Sequence, residues 1–239
     1  MRALLTSPAV RLGLSVSVAT GLYAVSFGAL AVAAGLSTLQ TCVLSLLMFT
    51  GGSQFAFIGT IAGGGAGSTA ALAATLLGVR NAVYGVSMSA LLRPRGWRRL
   101  LFAQVTIDES VAVASSRTDP LEERRGFWTA GLGVFTLWNI FTLVGALLGS
   151  AVGDTRAWGL DGAAVAAFLG LLWPRLRSRE AGSIAVVCAL ATALATPFLP
   201  VGIPILVAAV VAVAWALWGP GEPRGNRPLR PTSSEVAAR

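Results

Sequence analysis

The sequence contains no histidine and no lysine, and its 239 residues include two cysteines. Without lysine it has neither a Walker A nucleotide site nor a Schiff-base cofactor site, and without histidine it lacks the commonest metal ligand and general base. Cys42 and Cys188 lie inside apolar segments, where a small buried thiol predicts neither a disulfide nor a metal site. We therefore expect no ATP hydrolysis, no cofactor, no bound metal and no enzymatic activity.

Charge is also scarce, since charged residues make up 12% of the chain and hydrophobic residues 55%. That is more apolar surface than a soluble domain of this size could cover with polar groups. Apolar stretches of roughly 17 to 25 residues, the length a helix needs to span the hydrocarbon layer, recur along the chain. The fold class is therefore predicted to be all-α, a polytopic membrane helix bundle.

Eight apolar segments are candidate membrane helices. They cover residues 13–34, 40–62, 68–92, 100–116, 126–150, 159–173, 181–197 and 203–218. The first is expected to be a retained membrane helix and not a cleaved signal peptide, because its apolar run is long and more membrane segments follow. Residues 1–12 are expected to form a short N-terminal segment, residues 13–218 the transmembrane domain, and residues 219–239 a disordered cytoplasmic tail rich in Pro, Gly and Arg.

The basic residues are all arginine, and most lie between segments, which indicates membrane topology better than it indicates a nucleic-acid surface. The clusters lie in 93–99, 117–125, 175–179 and the tail from Arg224. The positive-inside rule places all four, and the C-terminus, in the cytoplasm. Since 100–116 lies alone between two clusters, it is predicted to be re-entrant, interfacial or tucked inside the bundle. A cytoplasmic N-terminus would exclude 40–62 as a full crossing and give six crossings, whereas an outer N-terminus gives seven.

The 40–62 segment is broken by Gly51-Gly52-Ser53-Gln54. Two adjacent glycines free the backbone, and the serine and glutamine side chains can bond the groups that a broken helix exposes. Unwound backbone at membrane depth is tolerated only where protein or a water-filled cavity covers it, and the next half-helix directs its N–H groups toward any anion placed there. The break is therefore predicted to form a polar socket, with a packing or kink motif as the alternative.

Arg80 lies in the middle of 68–92, which is also predicted to be an interrupted helix. A charge at that depth costs about 2.5 to 3.5 kcal/mol on insertion scales, so it normally faces a cavity or a partner. Asn81 follows it directly, and Tyr84 shares its helix face because the two positions are four apart. The alternative is that Arg80 only ties helices together.

Asp108 and Glu109 are further charges inside an apolar segment. One carboxylate could pair with Arg80 while the other binds a cationic group or carries a proton, since burial raises a carboxyl pKa and a nearby arginine lowers it. Alternatively, 100–116 is a membrane-surface helix with both acids in water.

Small and polar residues in 126–150 predict helix packing. Gly145 and Gly149 form a GxxxG motif, followed by Gly153, and such motifs let helices or subunits approach closely. Trp138 and Asn139 lie mid-segment, where the asparagine needs a hydrogen-bond partner. We expect bundle packing for both, with pocket lining as the second interpretation.

Four stretches carry a family resemblance. The strings "GLYAVSFGALAVAAGLS", "SLLMFTGGSQF", "VRNAVYG" and "TIDES" occur in this order and at separations that resemble the AzlC family, the large subunit of two-component branched-chain amino acid exporters. The similarity covers about residues 13–218 and is most specific in the first half. The residues that fit its motifs are Gly28, Gly51, Ser53, Gln54, Phe55, Arg80, Tyr84, Asp108 and Glu109. This chain departs from the usual family pattern with Asn81 in place of histidine, Gly78 or Val79 in place of asparagine, and Gly52 in place of alanine.

The resemblance implies efflux of branched-chain or other hydrophobic amino acids across the cytoplasmic (inner) membrane, together with a small hydrophobic AzlD-like subunit and without nucleotide or nucleic acid. Without a nucleotide site, the energy source is expected to be an ion gradient, most simply of protons. A channel or a non-transporting membrane scaffold is the alternative.

A zwitterionic substrate needs an anchor for each of its charges and an apolar pocket for its side chain. We hypothesise that Arg80 and the half-helix end at Gly51, Gly52, Ser53 and Gln54, with Asn81 nearby, hold the carboxylate. Asp108 or Glu109 would hold the ammonium group or carry a proton. Phe27, Phe55 and Tyr84 would line the pocket.

Overall fold

The computed structural model describes residues 7–152, 178–200 and 203–218, together with positions 169, 172, 173 and 176. In this part of the chain the regular structure consists of nine α-helices and no strand. They are α1 Pro8–Ala33, α2 Thr38–Leu47, α3 Gly52–Ala62, α4 Gly67–Leu92, α5 Arg98–Gln104, α6 Asp108–Ser115, α7 Pro120–Val152, α8 Arg179–Ala195 and α9 Ile203–Trp218. The all-α prediction is confirmed.

The chain divides into two compact units, Met1–Leu171 and Leu172–Arg239. Helices α1 to α7 belong to the first unit, whereas α8 and α9 pack against each other in the second. The predicted segment 159–173, apart from three positions, and the predicted tail 219–239 lie outside the described residues. The number of crossings and the cytoplasmic C-terminus remain predictions.

Helices α1 and α7 form the centre of the first unit. Within the described residues, these two are long and apolar enough to cross a membrane, with 26 residues in Pro8–Ala33, 32 in Pro120–Ala151 and a mean hydropathy of 1.8 in each. A helix rises about 1.5 Å per residue, so either exceeds the ~30 Å hydrocarbon layer.

Glycines allow the α1 and α7 backbones to touch. A Cβ added at Gly28 would lie 2.7 Å from the backbone nitrogen of Ala146, and one added at Gly145 would lie 2.9 Å from Cα of Val25. A Cβ at Gly149 would lie 3.0 Å from Cα of Ala29. The GxxxG motif therefore packs two helices of the same chain, as small-residue motifs do in membranes.

A carboxylate joins the N-terminal ends of these two helices. Glu122, in the first turn of α7, accepts hydrogen bonds from the Ser7 hydroxyl at 2.6 Å and from the Ala9 N–H at 3.1 Å, and pairs with Arg125 at 2.9 Å. Because the N-terminus of a helix carries unsatisfied N–H groups and a positive dipole end, this contact stabilises the start of α1.

The predicted break in 40–62 is present, but it lies earlier than the sequence indicated. Helix α2 ends at Leu47 and α3 begins at Gly52, so the non-helical residues are 48–51 and not 51–54. The Gln54 side chain bonds the Gly51 N–H and closes the first turn of α3. This helix therefore begins at Gly52 and not after Gln54. The predicted interruption of 68–92 is wrong, because α4 is continuous over 26 residues.

Two other predicted boundaries also change. The 100–116 segment consists of two short helices of 7 and 8 residues, α5 and α6, and neither is long enough to cross a membrane alone. The arginine-rich stretch 117–125 is largely helical, since α7 begins at Pro120, where proline suits the first turn of a helix. One of its arginines, Arg124, donates at 3.2 Å to the carbonyl of Leu92 at the end of α4.

Candidate functional site

The start of α3 depends on one glycine and one glutamine. Gly51 has φ 61° and ψ −86°, a conformation that residues with a side chain rarely adopt. Its N–H donates to the Gln54 side-chain oxygen at 3.1 Å, and its carbonyl accepts from the N–H groups of Gln54 at 3.0 Å and Phe55 at 3.2 Å. The first N–H groups of α3, from Gly52 and Ser53, have no preceding helical turn to bond, so they are available to an acceptor.

The Arg80 guanidinium lies against this helix start. Its Nη2 donates to the Thr50 carbonyl at 3.3 Å, and a Cβ added at Gly52 would lie 3.1 Å from the same nitrogen. Its Nη1 pairs with Oδ2 of Asp108 at 3.1 Å. The side chains of Arg80 and Asp108 are 31% and 21% exposed, so both charges are largely removed from solvent.

The Asp108 carboxylate is positioned by the bend between α5 and α6. Asp108 and Glu109 form the first turn of α6, where acidic groups complement the positive end of the helix dipole. The Ser110 hydroxyl fixes the bend, because it accepts from the Ile107 N–H at 3.0 Å and donates to the Val105 carbonyl at 2.8 Å. Asp108 therefore faces Arg80. The alternative of a membrane-surface helix would instead require Asp108 to face bulk water.

Buried polar atoms without a hydrogen-bond partner collect around the break. Among the described residues, those that lie near this site are Thr50 Oγ1, Ser53 Oγ, Gln54 Nε2, Arg80 Nε, Asn81 Oδ1 and the Tyr23 hydroxyl. Ser53 and Gln54 are both fully buried. A buried polar group without a partner costs about 1–3 kcal/mol, and water or a polar ligand at this place would remove that cost.

Aromatic rings of α1 and α7 pack against Phe55 of α3. The Tyr23 ring stacks on Phe55 with centroids 5.1 Å apart, and Phe27 meets Phe55 edge to face at 5.4 Å. Trp138 contacts this group at 5.3 Å from Tyr23. Phe27 and Phe55 are 0% and 2% exposed, so both are packed core residues, and their place in the lining of a substrate pocket stays a prediction.

An open groove with a volume of about 1120 Å³ runs between α2, α3 and α4. Thr50 and Ser53 line it together with aliphatic and aromatic side chains. Because the Thr50 carbonyl also bonds Arg80, the groove and the charged pair meet at the helix break. Within the residues that the structure describes, no three acidic or cysteine side chains come together in a way that could hold a metal ion.

Several predicted site residues come together here, namely Gly51, Gly52, Ser53, Gln54, Arg80 and Asp108. Tyr84 and Asn81 lie half-buried on α4, within one turn of Arg80, and Glu109 is half-buried beside Asp108. Thr50 and Tyr23 are not among the site residues predicted from the sequence. The available signals were a polar residue next to a double glycine, for Thr50, and a tyrosine four positions before Phe27 in an apolar helix, for Tyr23.

A discontinuous helix whose half-helix N-terminus lies at the binding site is typical of secondary membrane transporters. A family model described as AzlC protein matches residues 15–152, which is more than half of the chain and spans nearly all of α1 to α7. The chain belongs to the AzlC family. It is therefore a transport-related membrane protein, of a family associated with branched-chain amino acids and not with enzymatic activity. Neither the curated proteins nor the solved structures give a significant match.

Proposed function

We propose that this protein exports branched-chain or other hydrophobic amino acids across the cytoplasmic membrane, driven by an ion gradient. The observation that supports this most directly is the convergence of a helix N-terminus, a largely buried arginine and several unpartnered polar atoms at one break. Two positive groups, the guanidinium and the dipole end of α3, face one another there. An anion placed between them would bind both.

The substrate carboxylate is that anion in our proposal. The N–H groups of Gly52 and Ser53, the Ser53 hydroxyl and the Gln54 amide nitrogen would donate to it, and Arg80 would supply the charge. The Asp108 carboxylate holds Arg80 in place at 3.1 Å and offsets its charge in the unloaded site. Charge-assisted hydrogen bonds of this kind are roughly twice as strong as neutral ones.

We assign the ammonium group or a transported proton to Asp108 or Glu109. Both are half-buried in the first turn of α6, and Asp108 also pairs with Arg80.

The proposed energy source is a proton gradient, since the sequence has no nucleotide site. The proposed partner is a small hydrophobic AzlD-like subunit. The exposed aliphatic residues of α4 that lie outside the groove offer an apolar face for a membrane neighbour, and they are Leu72, Leu76, Val83 and Val86.

Counterflow in proteoliposomes tests the function. Vesicles that contain the purified protein, with and without the co-expressed small subunit, are loaded with unlabelled leucine, isoleucine, valine or methionine, and the uptake of labelled substrate is followed without ATP. A carrier should accumulate label transiently above its outside concentration, and an imposed pH gradient should drive net flux. A lysine-loaded vesicle serves as the charged control.

The same assay separates the rival functions. A channel equilibrates label without overshoot, and a scaffold gives no flux above protein-free vesicles. Either outcome, or a strict requirement for ATP, would contradict the proposal.

A further inference from the structure

We propose that the groove between α2, α3 and α4 holds the aliphatic side chain of the substrate, and that Gly78 sets the largest side chain it accepts. This inference rests on the proposed function and adds a residue that determines which hydrophobic amino acids are carried.

The walls of the groove are apolar. Leu44 and Leu47 of α2, Phe57 and Ile61 of α3, and Val79 of α4 are among its lining residues. Among the described residues that line it, none is charged. Pockets of about 300–1,000 Å³ that are mostly apolar, with a few placed polar groups, are typical of small-molecule sites. The volume of about 1120 Å³ is close to this range, and the surface favours an aliphatic occupant over a charged one.

The polar groups of the groove lie at the helix break. Ser53 is fully buried and lines the groove, and its hydroxyl has no hydrogen-bond partner within the described part of the chain. Thr50 lines the groove with a second such hydroxyl, and its carbonyl accepts from Arg80. An amino acid whose carboxylate binds at the start of α3 would therefore extend its side chain along the apolar walls.

Gly78 lies next to the Ser53 hydroxyl, so a side chain at this position would limit the space in this part of the groove. It lines the groove from α4, and a Cβ added there would lie 3.6 Å from the Ser53 hydroxyl oxygen, with no other atom within 4 Å among the described residues outside its own turn of the helix. That is an ordinary contact distance, so alanine fits without strain. Valine adds two further methyl groups, which occupy the groove where the first carbons of a substrate side chain would lie.

The experiment measures the ratio of leucine to alanine counterflow for wild type, Gly78→Ala and Gly78→Val in proteoliposomes. One methylene in an apolar pocket changes selectivity by about 10- to 200-fold. We expect the ratio to fall in the order of added bulk, by about tenfold or more in Gly78→Val. If the Gly78→Val variant does not reach the membrane, the ratio of leucine to alanine counterflow in Gly78→Ala tests the inference.

Gly85→Val is the matched control. Gly85 is two turns further along α4, on the same side of the helix, and a Cβ added there would meet no atom within 4 Å among the described residues outside its own turn of the helix. The inference is supported if the ratio falls in the Gly78 variants and stays at the wild-type value in Gly85→Val. It is overturned if both positions behave alike or if the ratio is unaffected.

Two further outcomes are distinguishable. If Gly78→Val releases a co-purifying small subunit while the ratio stays constant, the groove is a subunit interface and the inference is wrong. If wild type carries neither amino acid, the proposed function itself fails, and this inference fails with it.

Discussion

Removing the charge of Arg80 should separate its structural role from its role in binding. Arg80 and Asp108 form an ion pair at 3.1 Å with side chains 31% and 21% exposed. Exposed pairs contribute about 0–1 kcal/mol, whereas loss of one partner from a buried pair costs about 3–5 kcal/mol. With exposure between these cases, we expect Arg80→Gln and Asp108→Asn each to lower the free energy of unfolding by about 1–3 kcal/mol.

The double variant Arg80→Gln/Asp108→Asn distinguishes the two roles. It removes both charges, so neither is left unpaired, and it should regain part of the stability that each single variant loses. Thermal unfolding in detergent measures this, with about 2–4 °C expected per kcal/mol for a chain of this size. Transport should not recover, because the group that we assign to the carboxylate is still missing. Loss of a charged hydrogen bond of about 1.5–3 kcal/mol corresponds to a decrease in substrate affinity of roughly 10- to 150-fold.

The result that would refute this reasoning is recovery of transport in the double variant to near the wild-type rate. Arg80 would then serve only to neutralise Asp108 and to join α4 to α6. All rates must be normalised to the amount of protein in the membrane, so that poor insertion is not counted as loss of binding.

Two other substitutions test the fold on which the site depends. Gly51→Ala should destabilise the protein by about 1–2 kcal/mol because φ is 61° there. Its control, Gly59→Ala, should be neutral or slightly stabilising, because a Cβ added at Gly59 would meet no atom within 4 Å among the described residues outside its own turn of the helix. Equal melting temperatures of the two variants would contradict the geometry of the break. Gly28→Ala should lower the free energy of unfolding by about 1–3 kcal/mol or prevent folding, because its Cβ would lie 2.7 Å from the Ala146 nitrogen. Gly182→Ala is its control, because a Cβ added at Gly182 would lie in open space. Unchanged stability of the Gly28 variant would mean that α1 and α7 are further apart.

Much of the fold follows from the sequence because membrane insertion restricts the backbone. Long apolar stretches predict helices, and small residues such as Gly145 predict close packing, because the bilayer offers no other way to satisfy backbone groups. A charge such as Arg80 predicts a partner, since it is too costly to leave alone. Its pairing with one of two acids could be predicted, but the choice of Asp108 depends on the direction of α6.

The details of the site could not be predicted because they depend on three-dimensional contacts. The break ends at residue 51 because Gln54 folds back to bond Gly51, and a glycine pair alone does not show which residue starts the helix. The continuous course of α4 was also missed, because polar residues at its centre resemble a break when their partners are unknown. The packing of Tyr23 on Phe55 joins residues more than 30 positions apart and leaves no local pattern.

Binding of leucine compared with leucinamide tests the central claim most directly. Both compounds carry the same side chain and an amino group, but leucinamide lacks the carboxylate that the start of α3 and Arg80 should bind. A ligand that binds the folded state raises the melting temperature of the purified protein with increasing concentration. We predict that leucine stabilises wild type and that leucinamide does not, whereas equal stabilisation by both compounds would contradict an anion site at the break.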